Sequence, residues 1–163
     1  MKLFLKNLLF TILVPGTVAV YAPILISRGR GVSTQPALLT VGILLLVTGA
    51  GIYFWTVWDF ATIGRGTPLP IDAPKKLVVN GLYRYTRNPM YLGVILVILG
   101  WACVFADMWL LVYALGVGIV VHLFVIGYEE PWLKALFGEE YEDYRRSVGR
   151  WVPRIQANDV HTV

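Results

Sequence analysis

The chain has almost no cysteine and little charge. Its single cysteine, Cys103, excludes an intrachain disulfide and a metal site built on paired cysteines, and we expect no metal. Asp, Glu, Lys and Arg together make up 15% of the residues, whereas an ordinary soluble domain carries about 25%. The bases do not form the basic stripe of a nucleic-acid-binding module, so no nucleic-acid partner is expected. The sequence therefore lacks the charge of a typical water-facing surface.

Apolar residues are abundant instead, and they occur in four runs. They make up 57% of the 163 residues, and the mean hydropathy is +0.66. The runs cover residues 5–26, 37–58, 90–106 and 108–127. A helix that crosses a bilayer needs about 17–25 mostly apolar residues, and the first run is too long for a signal peptide. The sequence predicts an all-α, multi-pass membrane protein, a single domain over 1–163 with about four transmembrane helices.

Connections and basic residues predict how these helices are arranged. Little more than Asp107 separates the last two runs, so they should form a tight helical hairpin. The segments that flank the hairpin are rich in Lys and Arg, which places them in the cytoplasm by the positive-inside rule, with Asp107 on the other side. A bacterial inner membrane is the expected location. The expected organisation is two N-terminal spans (1–58), a cytoplasmic loop (59–89), a helical hairpin (90–127) and a cytoplasmic tail (128–163).

Three further features carry expectations about packing. Arg28 and Arg30 fall in a loop predicted to lie outside, against the positive-inside rule. Tyr141, Tyr144 and Val148 recur at helical spacing opposite charged residues, which predicts an amphipathic tail helix. That helix would lie along the membrane interface or fold back over a site. Small residues allow close packing of membrane helices, and six glycines are candidates for it: Gly42, Gly49, Gly93, Gly100, Gly116 and Gly118.

A first polar cluster leads into the third run. Asn88 and Pro89 have the pattern of a helix N-cap followed by proline at the first helical position. A helix that begins there presents unpaired N–H groups and the positive end of its dipole, with Arg87 adjacent and Arg84 one turn away. This combination favours a carboxylate or phosphate ligand. Two alternatives stay open: Asn88 and Pro89 only begin the helix, and the two arginines only anchor lipid headgroups.

A second polar cluster ends the fourth run. Glu129 and Glu130 lie at a helix C-terminus, where carboxylates oppose the dipole and need compensating partners unless they are simply solvated. His122 precedes Glu129 by seven residues, or two helical turns, and is either a packing residue or part of the same polar face. A hairpin brings this cluster against the first one. A zwitterionic ligand with hydroxyl groups would fit between them, and S-adenosylmethionine is one, with a sulfonium that tyrosine rings could stabilise.

At these residues the sequence resembles the family of isoprenylcysteine carboxyl methyltransferases and phospholipid methyltransferases, which are integral membrane enzymes. The resemblance implies a methyltransferase that binds S-adenosylmethionine at the cytoplasmic ends of its last two spans. Asn88 departs from the family pattern, which has histidine there, and asparagine cannot titrate near neutral pH. The segments that match are 64–68, 77–93, 128–131, 137–141 and 150–154. The expected cofactor-binding residues are Tyr83, Arg84, Arg87, Asn88, Pro89, Tyr91, Gly93, Glu129 and Glu130.

Methyl transfer from a sulfonium requires positioning more than acid–base catalysis. A carboxylate or thiolate nucleophile is already ionised, whereas an amine must lose a proton, for which His122 and Glu129 are the candidate catalytic residues. The expected substrate is a lipid or another small apolar molecule that enters from the bilayer, and membrane lipids are the expected surroundings. Two other functions stay open: a membrane reductase that uses a nicotinamide cofactor, and a non-catalytic lipid-binding protein.

Overall fold

A computed structural model describes residues 8–9, 11–64 and 76–152 of the chain. These residues are helical apart from short connections and one isolated β-bridge, which confirms the all-α prediction. The start of the first apolar run, most of the 64–68 match and the end of the tail lie outside the described residues. The helices are α1 (Thr11–Ile26), α2 (Pro36–Asp59), α3 (Pro89–Phe105), α4 (Met108–Phe124), α5 (Glu130–Phe137) and α6 (Glu139–Ser147).

Two of the apolar helices are long enough to cross a membrane. One is α2 with the π turn that continues it, which together span Pro36–Ile63, 28 residues with a mean hydropathy of 2.2. The other is the continuous helix Met108–Phe137, 30 residues with a mean hydropathy of 2.5. The helices α1 and α3 are apolar but shorter, so the expected count of four spans stays a prediction. The hairpin is confirmed, because only two residues separate α3 from α4.

Glycines set the distance between α2 and α3. A Cβ atom added to Gly49 would lie 2.7 Å from the carbonyl oxygen of Gly93, and one added to Gly42 would lie 3.0 Å from that of Gly100. The two contacts are seven residues apart on each helix. The later glycine of α2 meets the earlier glycine of α3, so the two helices are antiparallel. Close backbone contact of this kind requires the absence of a side chain. Four of the six predicted packing glycines are therefore confirmed.

The other two glycines do not have this role. A Cβ atom at Gly116 would meet nothing within 4 Å, and one at Gly118 would make only an ordinary contact with Ile95 at 3.9 Å. The prediction was wrong for them because helical spacing alone does not tell which face of α4 meets a neighbour. Much of that helix is exposed, with Leu115 and Val120 each 66% accessible.

Aromatic donors stabilise the irregular part of α1. Its turn Thr17–Tyr21 has π-helical hydrogen bonding and is followed by Pro23, which has no N–H to donate back into the helix. The carbonyl groups of this turn are bonded from neighbouring helices. Trp101 donates its Nε1–H to the carbonyl of Ala19 at 3.0 Å, and the Tyr113 hydroxyl donates to that of Val18 at 2.9 Å. A proline-containing membrane helix needs neighbours of this kind.

The connection between α3 and α4 accounts for Arg30, one of the two arginines that go against the positive-inside rule. Ala106 adopts a left-handed conformation, and Asp107 caps α4 by accepting a hydrogen bond from the Trp109 N–H at 2.9 Å. The Asp107 carboxylate is buried and also pairs with Arg30 at 2.6 Å, while the Ser27 hydroxyl donates to it at 3.3 Å. Arg30 therefore neutralises the hairpin corner, and its partner is also the N-cap of α4.

The tail folds back over the end of the bundle. Gly138, with φ of 56°, ends α5 and allows α6 to turn away from it. The buried Tyr141 and Tyr144 of α6, with Val148, pack against Leu77, Val78 and Tyr83 of the preceding loop. Of the two arrangements that the amphipathic pattern allowed, the structure has the second.

Candidate functional site

The polar residues gather where α3 begins and α4 ends. Because α2 and α3 are antiparallel and α3 and α4 form a hairpin, the last turn of α2 also lies at this end. The tail is fastened here by backbone pairing: Thr86 and Gly149 form a β-bridge, and the Arg87 N–H donates to the Gly149 carbonyl at 2.9 Å. The Thr86 hydroxyl and the Asn88 Nδ2 both donate to the Arg150 carbonyl, at 3.0 and 3.1 Å. The tail therefore covers the start of α3.

One carboxylate at this end is held by two arginines. Glu130 accepts two hydrogen bonds from Arg150, from Nε to Oε1 at 2.6 Å and from Nη2 to Oε2 at 2.9 Å. Its Oε1 also lies 2.9 Å from Nη1 of Arg87, and both of these side chains are only 9% exposed. The same Arg87 nitrogen donates to the Tyr141 hydroxyl at 3.2 Å. Such buried, charge-assisted contacts are strong, and each group depends on the others for compensation.

The second glutamate has a different environment. The Tyr91 hydroxyl donates to Oε2 of Glu129 at 2.8 Å, which joins the start of α3 to the π turn that ends α4. Tyr83 is buried nearby, on the 3-10 helix Gly81–Arg84. The pKa of Tyr83 is raised well above its ordinary value of 10.0, first by burial and then by the negative charge of Glu129. Glu130 is thus a compensated anion, whereas Glu129 has a tyrosine as its partner.

Between these groups lies a cavity of about 20 Å³. It is lined by Arg87, Asn88, both glutamates, Val125, Leu133, Tyr141 and Tyr144. Pockets that hold cofactors measure about 300–1,000 Å³, so this cavity is too small for one. The side chains of the Arg87–Glu130 ion pair occupy part of the space. The Nε–H of Arg87 is nevertheless buried without a hydrogen-bond partner. A buried unpaired donor is costly and often marks a place where a ligand binds.

The structure separates the residues predicted from sequence into two groups. Arg87, Asn88, Glu129 and Glu130 line the cavity, and Tyr91 bonds directly to one of them. The others lie around it: Tyr83 is adjacent, Pro89 begins α3, Gly93 packs against α2, and Arg84 is exposed.

Asn88 has the predicted position but not the predicted capping contact. It is the residue before α3, and Pro89 is the first residue of that helix. Its side chain makes no capping hydrogen bond, is buried, and instead donates to the Arg150 carbonyl. The amide therefore holds the tail against the start of α3, a role that helix-capping preferences do not predict.

His122 is not among the residues that line the cavity. Its Nδ1 accepts a hydrogen bond from Nε1–H of Trp151 at 3.0 Å, and it does not line the cavity. The reason is the π turn Val125–Glu129, in which the Glu130 N–H bonds to Val125 five residues back. The extra residue of a π turn rotates the rest of the helix by about 100° relative to a regular α-helix. The prediction that His122 and Glu129 share a face assumed a regular α-helical period, which this turn interrupts.

Two important residues were not among the predicted site residues. Arg150 supplies the bidentate contact to Glu130, and Tyr141 bonds to Arg87. The 150–154 segment is one of the family matches, and adjacent glutamates demand compensating cations, so the pairing had a signal in the sequence. The burial of Tyr144 raises its pKa, and the bond to Glu130 raises that of Arg150, so both keep their protons at neutral pH.

Comparisons with known proteins match the chain to a family model and to named relatives. The family model described as phospholipid methyltransferase matches residues 37–140. The chain is 38% identical over 82 residues to a methanethiol S-methyltransferase of Crocosphaera subtropica, covering 50% of this chain and 31% of that one. It is 35% identical over 121 residues to a methanethiol S-methyltransferase of Pseudomonas deceptionensis, covering 64% and 45%. It is 34% identical over 82 residues to a protein-S-isoprenylcysteine O-methyltransferase of Schizosaccharomyces pombe, covering 48% and 34%. The chain therefore spans less than half the length of each of these relatives.

Proposed function

Because the chain belongs to the phospholipid methyltransferase family, we propose that it is a membrane methyltransferase that uses S-adenosylmethionine bound at the Arg87–Glu130 cluster. The family match covers Arg87, which lies just before α3, and Glu130, the first residue of α5. The three relatives are named as methyltransferases that act on a thiol or on isoprenylcysteine. A nicotinamide-dependent reductase has no such support.

The observation that carries the proposal is the unpaired Nε–H of Arg87 beside a compensated carboxylate. In a guanidinium group, Nε and one terminal nitrogen together match the two oxygens of a carboxylate. The carboxylate of the cofactor would take this edge of Arg87, and its ammonium group would take Glu130. Tyr141 and Tyr144 line the cavity on the side formed by the tail. The donor and acceptor set fits a zwitterion, and binding requires the internal ion pair to open.

The bound cofactor would supply an electrophilic methyl group on sulfur. The residues of the chain have the tasks of binding it, orienting it and keeping water out, since α6 and residues 149–151 cover the site. Glu129, which accepts a hydrogen bond from Tyr91, would accept a proton from an amine or thiol substrate. His122 lies outside the cavity, so a proton-accepting role for it needs a substrate that reaches Trp151.

We propose that the substrate is membrane-partitioned and reaches the site from the bilayer. The two long apolar helices border the site, and Trp55 and Trp58 are 56% and 69% exposed on the last turns of α2. Aromatic residues of this kind concentrate at the membrane–water boundary. The site would therefore open at the level of lipid headgroups, on the cytoplasmic face of a bacterial inner membrane.

Cofactor binding tests this function. The full-length protein in lipid nanodiscs should bind S-adenosylmethionine and S-adenosylhomocysteine in calorimetric titrations, and should not bind NADPH. Arg87→Ala should weaken binding by about tenfold or more, because one carboxylate partner is lost. The matched control is Arg28→Ala, which removes an exposed arginine at the opposite end of the bundle. Wild-type affinity in a folded Arg87→Ala protein would contradict the assignment.

Two further measurements complete the test. Membranes that contain the protein should transfer a labelled methyl group to a lipid-soluble product, whereas binding without transfer would indicate a non-catalytic lipid-binding protein. For sidedness, a cysteine at Arg28 in a Cys103→Ser background should react with an impermeant reagent outside cells, and one at Glu140 should not. Asp107 is unsuitable for labelling because it is buried and pairs with Arg30.

A further inference from the structure

The carboxylate of Glu130 is already occupied by side chains of its own chain. Arg150 donates to both of its oxygens, at 2.6 and 2.9 Å, and Arg87 contacts one of them at 2.9 Å. The planar fork of a guanidinium group matches a carboxylate in this way, so the two-oxygen edge of Glu130 is taken. The adjoining cavity measures only about 20 Å³. A further cation can therefore reach Glu130 only if one of the arginines withdraws.

The two arginines differ in their freedom to withdraw. The side chain of Arg87 is 9% exposed and lines the cavity, whereas that of Arg150 is 33% exposed and does not line it. A buried guanidinium group that loses its anion finds no water to replace it. A long side chain near the surface can instead turn its charged end into water while its stem stays packed. Arg150 is therefore the arginine that can leave Glu130.

The backbone on both sides of this side chain is held in place. The carbonyl groups of Gly149 and Arg150 accept hydrogen bonds from residues 86–88, just before α3. Trp151 donates its Nε1–H to Nδ1 of His122 on α4, at 3.0 Å. None of these contacts uses the guanidinium group of Arg150. The side chain can therefore rotate away from Glu130 while the tail stays fastened to both helices.

We propose that the Arg150 side chain is an internal competitor for the ammonium group of the cofactor, and that it turns into water when the ligand binds. In the bound state, Glu130 pairs with the ammonium group, and the unpaired Nε edge of Arg87 pairs with the ligand carboxylate. A competing internal contact lowers the apparent affinity by the fraction of molecules in which the site is free. This inference rests on the proposed function and adds a regulation to it, since the Arg150–Glu130 contact sets how readily the cofactor binds.

The test compares Arg150→Met with the wild type by calorimetric titration of S-adenosylmethionine into the full chain in nanodiscs. Methionine keeps most of the side-chain length but has neither the charge nor a donor. Affinity should rise by about tenfold or more, because the competitor is gone. Arg150→Lys keeps the charge but loses the fork, and its affinity should lie between those of the two proteins. The matched control is Arg145→Met, at a tail arginine that is 44% exposed and pairs with Glu142, and it should bind as the wild type does.

The sign of the change separates competition from other roles. Loss of a residue that contacts the cofactor, or that only stabilises the tail, would weaken binding, as Arg87→Ala should. Equal or weaker affinity in Arg150→Met therefore overturns the inference, and the proposed function stands if the wild type binds the cofactor. If Arg150→Met does not fold, Arg150→Lys decides by the same sign.

A second ligand keeps the two proposals separable. Norleucine has the carboxylate and ammonium groups of the cofactor but no sulfonium and no nucleoside. If neither the wild type nor Arg150→Met binds S-adenosylmethionine, the proposed cofactor is refuted, and the norleucine titration decides the inference. Tighter norleucine binding in Arg150→Met supports it, whereas equal, weaker or absent binding overturns it.

Discussion

The arrangement of one glutamate between two arginines makes a quantitative prediction about stability. In Glu130→Gln, the side chain of Arg87 stays buried at 9% exposure without its anion, whereas Arg150 at 33% exposure can turn toward water. Breaking a buried pair in this way costs about 3–5 kcal/mol. In Arg87→Ala, the glutamate keeps both hydrogen bonds from Arg150, so the loss is one charge-assisted bond, or about 1.5–3 kcal/mol.

These energies translate into different melting temperatures. For a chain of this length, 1 kcal/mol shifts the midpoint by about 2–4 °C, so Glu130→Gln should lower it by about 6–20 °C. Arg87→Ala should lower it by about 3–12 °C on the same scale. Because these ranges overlap, the sharper measurement is the double variant. Once Arg87 is alanine, the buried cation that Glu130 compensates is gone, and the further loss of Glu130 should cost much less than it does alone.

The assay is thermal unfolding of the four proteins in one detergent, followed by tryptophan fluorescence. The coupling energy should be at least about 1 kcal/mol, within the range of 0.5–3 kcal/mol found for residues in one network. Additive shifts of the two single variants would refute the reasoning, since they would mean that the two charges do not compensate each other. A greater loss in Arg87→Ala than in Glu130→Gln would refute the assigned role of Arg150.

Three other predictions rest on contacts in the same structure. Asn88→His should be tolerated because histidine can also donate to the Arg150 carbonyl, whereas Asn88→Asp cannot donate there and should lower the melting temperature most, with Asn88→Ser between them. Gly49→Leu should destabilise the bundle strongly, since its Cβ atom would lie 2.7 Å from the Gly93 carbonyl oxygen, while Gly51→Leu, where a Cβ atom meets nothing within 4 Å, should not. The contact with Lys134, whose Nζ lies 2.8 Å from Glu142 Oε1, and then the charge of Arg145 lower the pKa of Glu142 below its ordinary 4.5. These contacts therefore stabilise the packed tail above that pH, and the effect is lost as the pH falls through the lowered value. Limited proteolysis near Gly138 should accordingly rise in acid, and Glu142→Gln should remove that pH dependence while Glu139→Gln keeps it.

The helices could be predicted from sequence because the bilayer requires apolar length. The runs 37–58 and 90–106 correspond to Pro36–Asp59 and Pro89–Phe105, within a residue at each end. Arg87 could be predicted to contact an anion because it adjoins a helix N-terminus, where negative charge is stabilised. In the structure that anion is the Glu130 carboxylate. The sequence indicated that the two adjacent glutamates need cations, but it did not identify Arg150 as the partner of Glu130, because that contact depends on the turn at Gly138 that brings the tail back over α3.

Hydrogen-bonding irregularities were the other part that the sequence did not reveal. The turns Thr17–Tyr21, Phe60–Gly64 and Val125–Glu129 all have π-helical bonding within apolar helices. An apolar run looks the same whether it contains an α turn or a π turn, since composition and average spacing hardly change. The position of His122 relative to Glu129 was therefore inferred from an ideal period that the helix does not have.

The π turn Val125–Glu129 has a consequence for how this part of the chain tolerates changes in length. The turn holds one residue more than an α turn, so removal of one residue within it would restore α-helical bonding and leave Glu130 on the side of its partners. Insertion of one residue would instead turn Glu129 and Glu130 by about 100°. The acids would then leave their arginine and tyrosine partners for the exposed side of the helix, where a charged residue near lipid is unfavourable. In this segment a single-residue insertion should therefore be more harmful than a single-residue deletion.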